Sequence, residues 1–148
     1  METIIYTDEN GLSVVWPSGE VAMEDLIPIV VPEGLVHEKV DDSIFPEDFT
    51  FRNAWRAHNL GVEGTPTTVE PDLELAREIA HGWRREARDK EFAPYDEIIS
   101  KQIPGAALTA AEPAREEIRT RYAAIQDELD AAVDVDGLKS IMVSRSLI

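Results

Sequence analysis

The hydrophobic pattern of the chain changes its period near Asp72, and this change limits the possible folds more than any other feature of the sequence. Before it, short runs such as TIIYT at residues 3–7 and LSVVW at residues 12–16 are rich in β-branched and aromatic residues, as strands are. After it, apolar residues recur at steps of three and four, which is typical of amphipathic helices. The sequence therefore predicts an α+β protein, with a small N-terminal antiparallel β module followed by a C-terminal helical hairpin.

The β module is predicted to span residues 1–55. The Asn10-Gly11 pair accepts positive φ angles, so it predicts a hairpin between the first two strands. Residues 20–27 suit either a short helix or a loop. The apolar run at 29–31 ends at a proline, which favours an edge or the end of a strand, and residues 35–40 alternate as a half-buried strand does. An aromatic strand is predicted at 49–55, after a turn formed by the preceding Asp and Ser side chains.

Residues 56–71 are predicted to be a linker. They contain two glycines, two prolines and three threonines, and these residue types interrupt regular structure. The linker would separate the β module from a helical hairpin with a short terminal helix at residues 72–148.

Two long helices are predicted in the C-terminal part. The first begins at Asp72, and Pro94 is expected to start a separate shorter helix that runs to about Gln102. The second long helix is predicted at 113–133, and Asp136 can cap a last short one. The apolar stripes of the long helices are too wide to leave in water, so they must pack on each other, on the β module or on another chain, which makes a homo-oligomer one expectation.

The chain is strongly acidic, with 14 basic and 30 acidic residues and a formal net charge of −16. Residues 1–71 hold 14 acidic and 3 basic residues, a net charge of −11. Such a surface repels phosphate backbones and anionic headgroups, so neither nucleic acid nor a membrane is an expected partner. It can serve solubility, attract a basic partner or mimic nucleic acid.

No pattern in the sequence predicts catalysis, a cofactor or a metal. Cysteine is absent, and His37, His58 and His81 do not have the spacing of a metal site. The segment 134–137 resembles part of a calcium loop but lacks acidic residues at both ends of the motif. The carboxylates at 41, 42, 47 and 48 are better explained by turn chemistry than by an acid/base pair. We therefore expect a protein that is not an enzyme.

The sequence also carries no targeting or membrane-spanning signal. No apolar segment approaches the roughly 20 residues needed to cross a bilayer, and the N-terminus lacks a basic region followed by a long apolar run. We expect a soluble intracellular protein.

Three segments carry a resemblance to a known group of proteins. They are VPEG at residues 31–34, VDDSIFPEDFTFRNAW at 40–55 and AREIAHGWRREAR at 76–88, and the later residues 114–141 also match the usual C-terminal part of that group. Together they resemble small proteins of tailed bacteriophages, encoded near tail-fibre genes and described as tail-fibre or tail assembly proteins. The segment from Asp41 to Trp55 is the strongest part.

The resemblance implies a chaperone-like, non-enzymatic assembly protein whose partner is a tail-fibre or tail/baseplate protein. It would act in the host cytoplasm during assembly or remain in the virion tail. Two alternatives are a structural component of the virion, as a fibre attachment or baseplate accessory, and an acidic decoy that inhibits a host nucleic-acid-binding protein. The residues predicted to contact a partner are aromatic, arginine, asparagine and isoleucine side chains: Arg52, Asn53, Trp55, Ile79, Trp83, Tyr122 and Ile125.

Overall fold

The computed structural model describes residues 1–148 and confirms the α+β class, with antiparallel strands in the N-terminal part and long helices after them. The chain divides into two compact units, Met1–Asp72 and Leu73–Ile148, which are called unit 1 and unit 2.

Unit 1 is built on a three-stranded antiparallel sheet. Strands β1 (Glu2–Asp8) and β2 (Gly11–Val15) form the predicted hairpin, in which Ile5 pairs with Val14. Strand β3 (His37–Asp41) pairs with the other edge of β1, so the strand order is β2-β1-β3. Since side chains alternate along a strand, the central β1 contributes Ile5 to the core of this unit.

The sequence favoured an edge strand or the end of a strand for the apolar run at 29–31, but most of this run is helical. Helix α1 (Met23–Val30) includes most of it, which also decides between helix and loop for the preceding residues. The helix ends at Val31, whose backbone N–H donates to the carbonyl of Ile27 at 2.9 Å and whose side chain is buried. Pro32 has no backbone N–H to donate, so the helix ends before this residue.

The predicted linker is wrong for residues 56–71, because they contain most of a second β hairpin. Strands β4 (Trp55–His58) and β5 (Thr68–Pro71) pair antiparallel. The loop between them is held by Glu38 of β3, whose carboxylate accepts hydrogen bonds from the Gly61 backbone N–H at 2.6 Å and from the Thr67 hydroxyl. These bonds join residues distant in sequence, so the glycines and prolines of this segment serve a structured loop.

The predicted aromatic strand at 49–55 is also corrected. A 3₁₀ turn occupies Arg52–Ala54, and only Trp55 belongs to a strand. Phe51 and Trp55 are 2% exposed while Phe49 is 53% exposed, so the three aromatic residues do not share one face. Ile5, Phe45, Trp55 and Val69 form the core of unit 1.

Unit 2 consists of three helices. They are α2 (Leu73–Lys101), α3 (Ala106–Ala131) and α4 (Val135–Ser144). The separate helix predicted from Pro94 is wrong because α2 continues through this residue, and α3 begins seven residues before Pro113, where its start had been predicted. Both prolines lie inside helices, where each removes one backbone hydrogen bond.

The helices of unit 2 pack through a small-residue face of α2 and a large-residue face of α3. Ala76 and Ala80 of α2 are fully buried, which allows a close approach of the helices. Across from them the apolar stripe of α3 and the inner face of α4 complete the core of this unit. The buried large residues are Ile118, Tyr122, Ile125 and Leu129 of α3 and Leu138 and Met142 of α4.

Candidate binding cleft

Aromatic side chains from separate parts of unit 1 meet at one place. The rings of Phe45 and Trp55 are stacked with centroids 5.6 Å apart, and Trp16 packs on Phe45 at the same centroid distance. Phe49 lies against Trp55 with a centroid distance of 5.1 Å. These separations lie in the range of favourable aromatic pairs, so the cluster combines a buried centre with an exposed edge at Phe49.

Local turns place these rings. Asp41 caps the 3₁₀ turn Asp42–Ile44 by accepting a hydrogen bond from the Ser43 backbone N–H at 3.0 Å, and Phe45 follows directly. A second turn forms where the Asp48 carboxylate accepts from the Thr50 N–H at 2.9 Å. Side-chain oxygens that bind nearby backbone amides favour turns over strands, so this segment folds back around the aromatic cluster.

An open cleft of about 550 Å³ lies beside the cluster. Its volume falls in the range of small-ligand sites. The lining combines aromatic rings, a proline and charged groups at the edge. The lining residues are Trp16, Asp42, Ser43, Phe45, Pro46, Glu47, Phe49 and Arg52.

Arg52 is the cation of this cleft. Its guanidinium carbon lies 4.8 Å from the centroid of the Trp16 ring, in a cation–π contact, and the side chain is exposed. Arg52 forms no salt bridge, although unit 1 holds 15 acidic and only 3 basic residues, a net charge of −12.

The acidic edge of the cleft is held by the chain terminus. The Met1 ammonium group lies 2.9 Å from the Asp42 carboxylate and 3.3 Å from that of Asp41. The Ser43 hydroxyl and backbone N–H and the Met1 ammonium all favour the charged form of Asp41, so its pKa falls from 3.8 to about 2. These contacts keep the 3₁₀ turn in place at neutral pH.

The predicted contact residues of unit 1 separate into exposed and buried ones. Arg52 and Asn53 are exposed, and Arg52 lines the cleft. Trp55 is 2% exposed, so its assignment as a contact residue is corrected: its ring supports the cleft from behind.

The predicted contact residues of unit 2 belong mainly to its own core. Ile79 and Trp83 are half-buried, whereas Tyr122 and Ile125 are 5% and 3% exposed. The Tyr122 hydroxyl donates to the Glu91 carboxylate at 2.6 Å, and burial together with this bond raises the pKa of Tyr122 to about 12. Tyr122 and Ile125 are therefore corrected as contact residues, because the helices of unit 2 already cover them.

Phe49, Pro46 and Glu47 were missed as candidate residues. Phe49 had been assigned to the predicted aromatic strand at 49–55. Two local signals argue against that strand: Pro46, and an Asp at position 48 with a Thr two residues later. Neither signal shows that the ring of Phe49 points outward, because this depends on which aromatic residues fill the core.

The acidic and histidine side chains do not form a cluster that could hold a metal ion. No group of three or more His, Asp or Glu side chains converges on one point. Asp41 and Asp48 serve as turn caps, as the sequence indicated. His81 pairs with Asp130 at 2.9 Å within unit 2, and His37 lies on a strand of unit 1.

No helix of the structure combines the length and apolar character needed to cross a membrane. Comparison with protein families, with curated proteins and with solved structures gives no match to this chain.

Proposed function

We propose that this protein is a non-enzymatic assembly factor for a phage tail or tail fibre, and that it acts by binding a tail-fibre or tail/baseplate protein through the cleft of unit 1. The observation that carries the proposal is the exposed aromatic edge of the cleft: Phe49 is 53% exposed beside Arg52. Aromatic side chains are enriched among the residues that dominate protein interfaces, so the exposed ring of Phe49 is the expected centre of the contact. The resemblance to phage assembly proteins is strongest in the same segment, residues 41–55.

The helical unit has a different part in this proposal from the one that its sequence suggested. The sequence predicted Tyr122 and Ile125 of its apolar stripe as contact residues, but both are buried within unit 2. Recognition is therefore assigned to the cleft. The acidic surface, with a net charge of −16, keeps the complex with an aggregation-prone subunit in solution.

The test is co-expression with candidate tail-fibre proteins encoded in the same genome. We expect more soluble and correctly oligomerised fibre, measured by sedimentation and size-exclusion chromatography. The Phe49→Ser variant should lose this effect, whereas Ile29→Ser, which changes another exposed apolar residue of unit 1 (75% exposed), should retain it. An unchanged yield and oligomeric state of the fibre would contradict the proposal.

Mass spectrometry of purified particles tests where the protein acts. An assembly factor of the host cytoplasm should be absent from the virion or present far below the amount of the fibre protein. A fixed ratio to the fibre would instead support the alternative of a structural virion component.

A further inference from the structure

We infer that the occupant of the cleft is an extended, basic segment of the partner, in which an apolar or proline residue packs on Phe49 and Pro46 and a neighbouring Lys or Arg faces Glu47 and Asp42. The inference rests on the proposed function only in taking the partner to be a protein. It does not require that the partner belong to a phage tail.

The open, aromatic lining of the cleft favours an extended polypeptide. The cleft is open to solvent, and its lining combines the aromatic residues Trp16, Phe45 and Phe49 with Pro46. Aromatic-lined grooves of this kind suit extended segments that contain proline, because such segments lose little entropy when they bind. Binding of such a segment does not require that one of its side chains be buried in a closed pocket.

The charge of unit 1 favours a basic occupant. The unit carries a net charge of −12, and the cleft itself presents the carboxylates of Asp42 and Glu47 against the single cation Arg52. Asp42 already pairs with the Met1 ammonium at 2.9 Å, whereas Glu47 is exposed and forms no salt bridge. A basic segment would be attracted by the field of the whole unit and would find in Glu47 an unpaired carboxylate.

Arg52 shows that the cleft accommodates a cation on an aromatic face. Its guanidinium lies 4.8 Å from the Trp16 ring centroid within the acidic unit, and the exposed face of Phe49 lines the same cleft. A second cation, supplied by the partner, would lie near Arg52 and would be repelled by it. The sign of the effect of an Arg52 substitution therefore separates a basic occupant from an acidic one.

The test measures binding of the full chain to two short fluorescent peptides by anisotropy. In the first peptide Lys alternates with Pro and Leu, and in the second Glu replaces Lys. We expect the basic peptide to bind at least about tenfold more tightly and to weaken as salt screens the attraction. Equal or tighter binding of the acidic peptide would overturn the inference.

Matched variants test whether the basic peptide binds in the cleft. Glu47→Gln should weaken the basic peptide by about threefold, whereas Glu63→Gln, which removes the same charge from an exposed position outside the cleft, should have a smaller effect. Phe49→Ala should weaken binding by about tenfold, against little change for Ile29→Ala. Equal effects of the two Gln variants, or of the two Ala variants, would show that the cleft is not the binding site.

The Arg52→Gln variant should change the affinity for the basic peptide in the opposite direction from Glu47→Gln. We expect it to tighten the basic peptide by about twofold, because one repelling charge is removed while a side chain of similar length remains. Weaker binding by this variant would overturn the basic occupant. Peptide binding without an effect on fibre co-expression would reject the phage function and leave the cleft assignment standing, and the reverse result would reject the cleft chemistry alone.

Discussion

Asp41 shows how much of the local structure of unit 1 depends on single carboxylates. It lies at the end of β3, caps the next turn through the Ser43 backbone N–H and pairs with the Met1 ammonium. All these contacts involve its charged form. The same few residues therefore connect the first strand, the third strand and the acidic edge of the cleft.

The first prediction concerns the titration of Asp41. Because its pKa is lowered from 3.8 to about 2 in the folded state, the stabilisation that it provides is complete above pH 3.8 and is lost as the pH falls through about 2. The carboxyl carbon resonance of Asp41 should titrate with a midpoint near 2. Ser43→Ala should move that midpoint toward 3.8, whereas Ser144→Ala in α4 should not. A wild-type midpoint near the ordinary value would contradict the contacts described.

Arg84 is a residue whose burial is not matched by its hydrogen bonds. It is 7% exposed on α2, and its single hydrogen bond runs from Nη1 to the Tyr122 carbonyl oxygen at 3.4 Å. Its Nε is buried without a partner. Burial lowers the pKa of Arg84, which means that the folded state disfavours its charge.

The second prediction follows from the free-energy cost of burying the charge of Arg84. Replacing a buried charge by an apolar side chain of similar volume is often neutral or stabilising, so Arg84→Met should raise the free energy of unfolding by about 1 kcal/mol. Arg84→Ala should lower it, because the cavity adds a cost. Urea denaturation measures both. A loss of stability in the Met variant equal to that in the Ala variant would show that the charge itself contributes.

Among the elements, the hairpin of α2 and α3 explains why the helical stripes do not require another chain. Ile118, Tyr122, Ile125 and Leu129 recur at steps of three and four along α3, and all four are buried within unit 2. The short helix α4 adds Leu138 and Met142 to the same core. Three helices therefore cover an apolar surface that two helices would leave exposed.

The third prediction compares two apolar residues four positions apart at the C-terminal end of the hairpin. Leu129 is fully buried and Val133 is 85% exposed. Leu129→Ala should lower the free energy of unfolding by about 2–5 kcal/mol, since it removes buried methyl groups and leaves a cavity. Val133→Ala should change it by less than about 0.5 kcal/mol. Thermal unfolding followed by circular dichroism tests the pair, and similar losses in both would contradict the packing described.

For the molecule as a whole, the dominant feature is the uneven distribution of charge. Unit 1 has a net charge of −12 and unit 2, with 15 acidic and 11 basic residues, has a net charge of −4. In unit 2 most of the arginines lie in salt bridges with nearby carboxylates, as Arg115 does with Asp96 at 3.1 Å. The field that can attract a basic partner therefore originates mainly from unit 1.

The fourth prediction concerns solubility as a function of pH. The isoelectric point is about 4.4, where the net charge that separates the molecules vanishes. We expect the lowest solubility near this pH and high solubility at pH 7, where the charge is −16. Turbidity and light scattering across the pH range measure this. A minimum well away from the isoelectric point would point to association through an apolar surface instead.

Local patterns in the sequence were sufficient for the class of the fold and for several of its elements. The change of period at Asp72, the Asn10-Gly11 hairpin, the stripe of α3 and the capping carboxylate of Asp41 each depend on neighbouring residues, and the structure confirms them. Propensity, capping and periodicity act over a few residues, so they can be read without knowing the rest of the chain.

Tertiary structure alone decided the features that depend on distant residues. Glu38 orders the loop after β4, so the segment predicted as a linker becomes a hairpin. Phe51 and Trp55 fill positions in the interior and Phe49 remains outside, which creates the cleft. Packing within unit 2 accompanies the continuation of α2 through Pro94. In each case burial or hydrogen bonds with residues far along the chain outweigh a local preference. The free energy of a contact depends on which groups it brings together and not on how far apart they lie in the sequence.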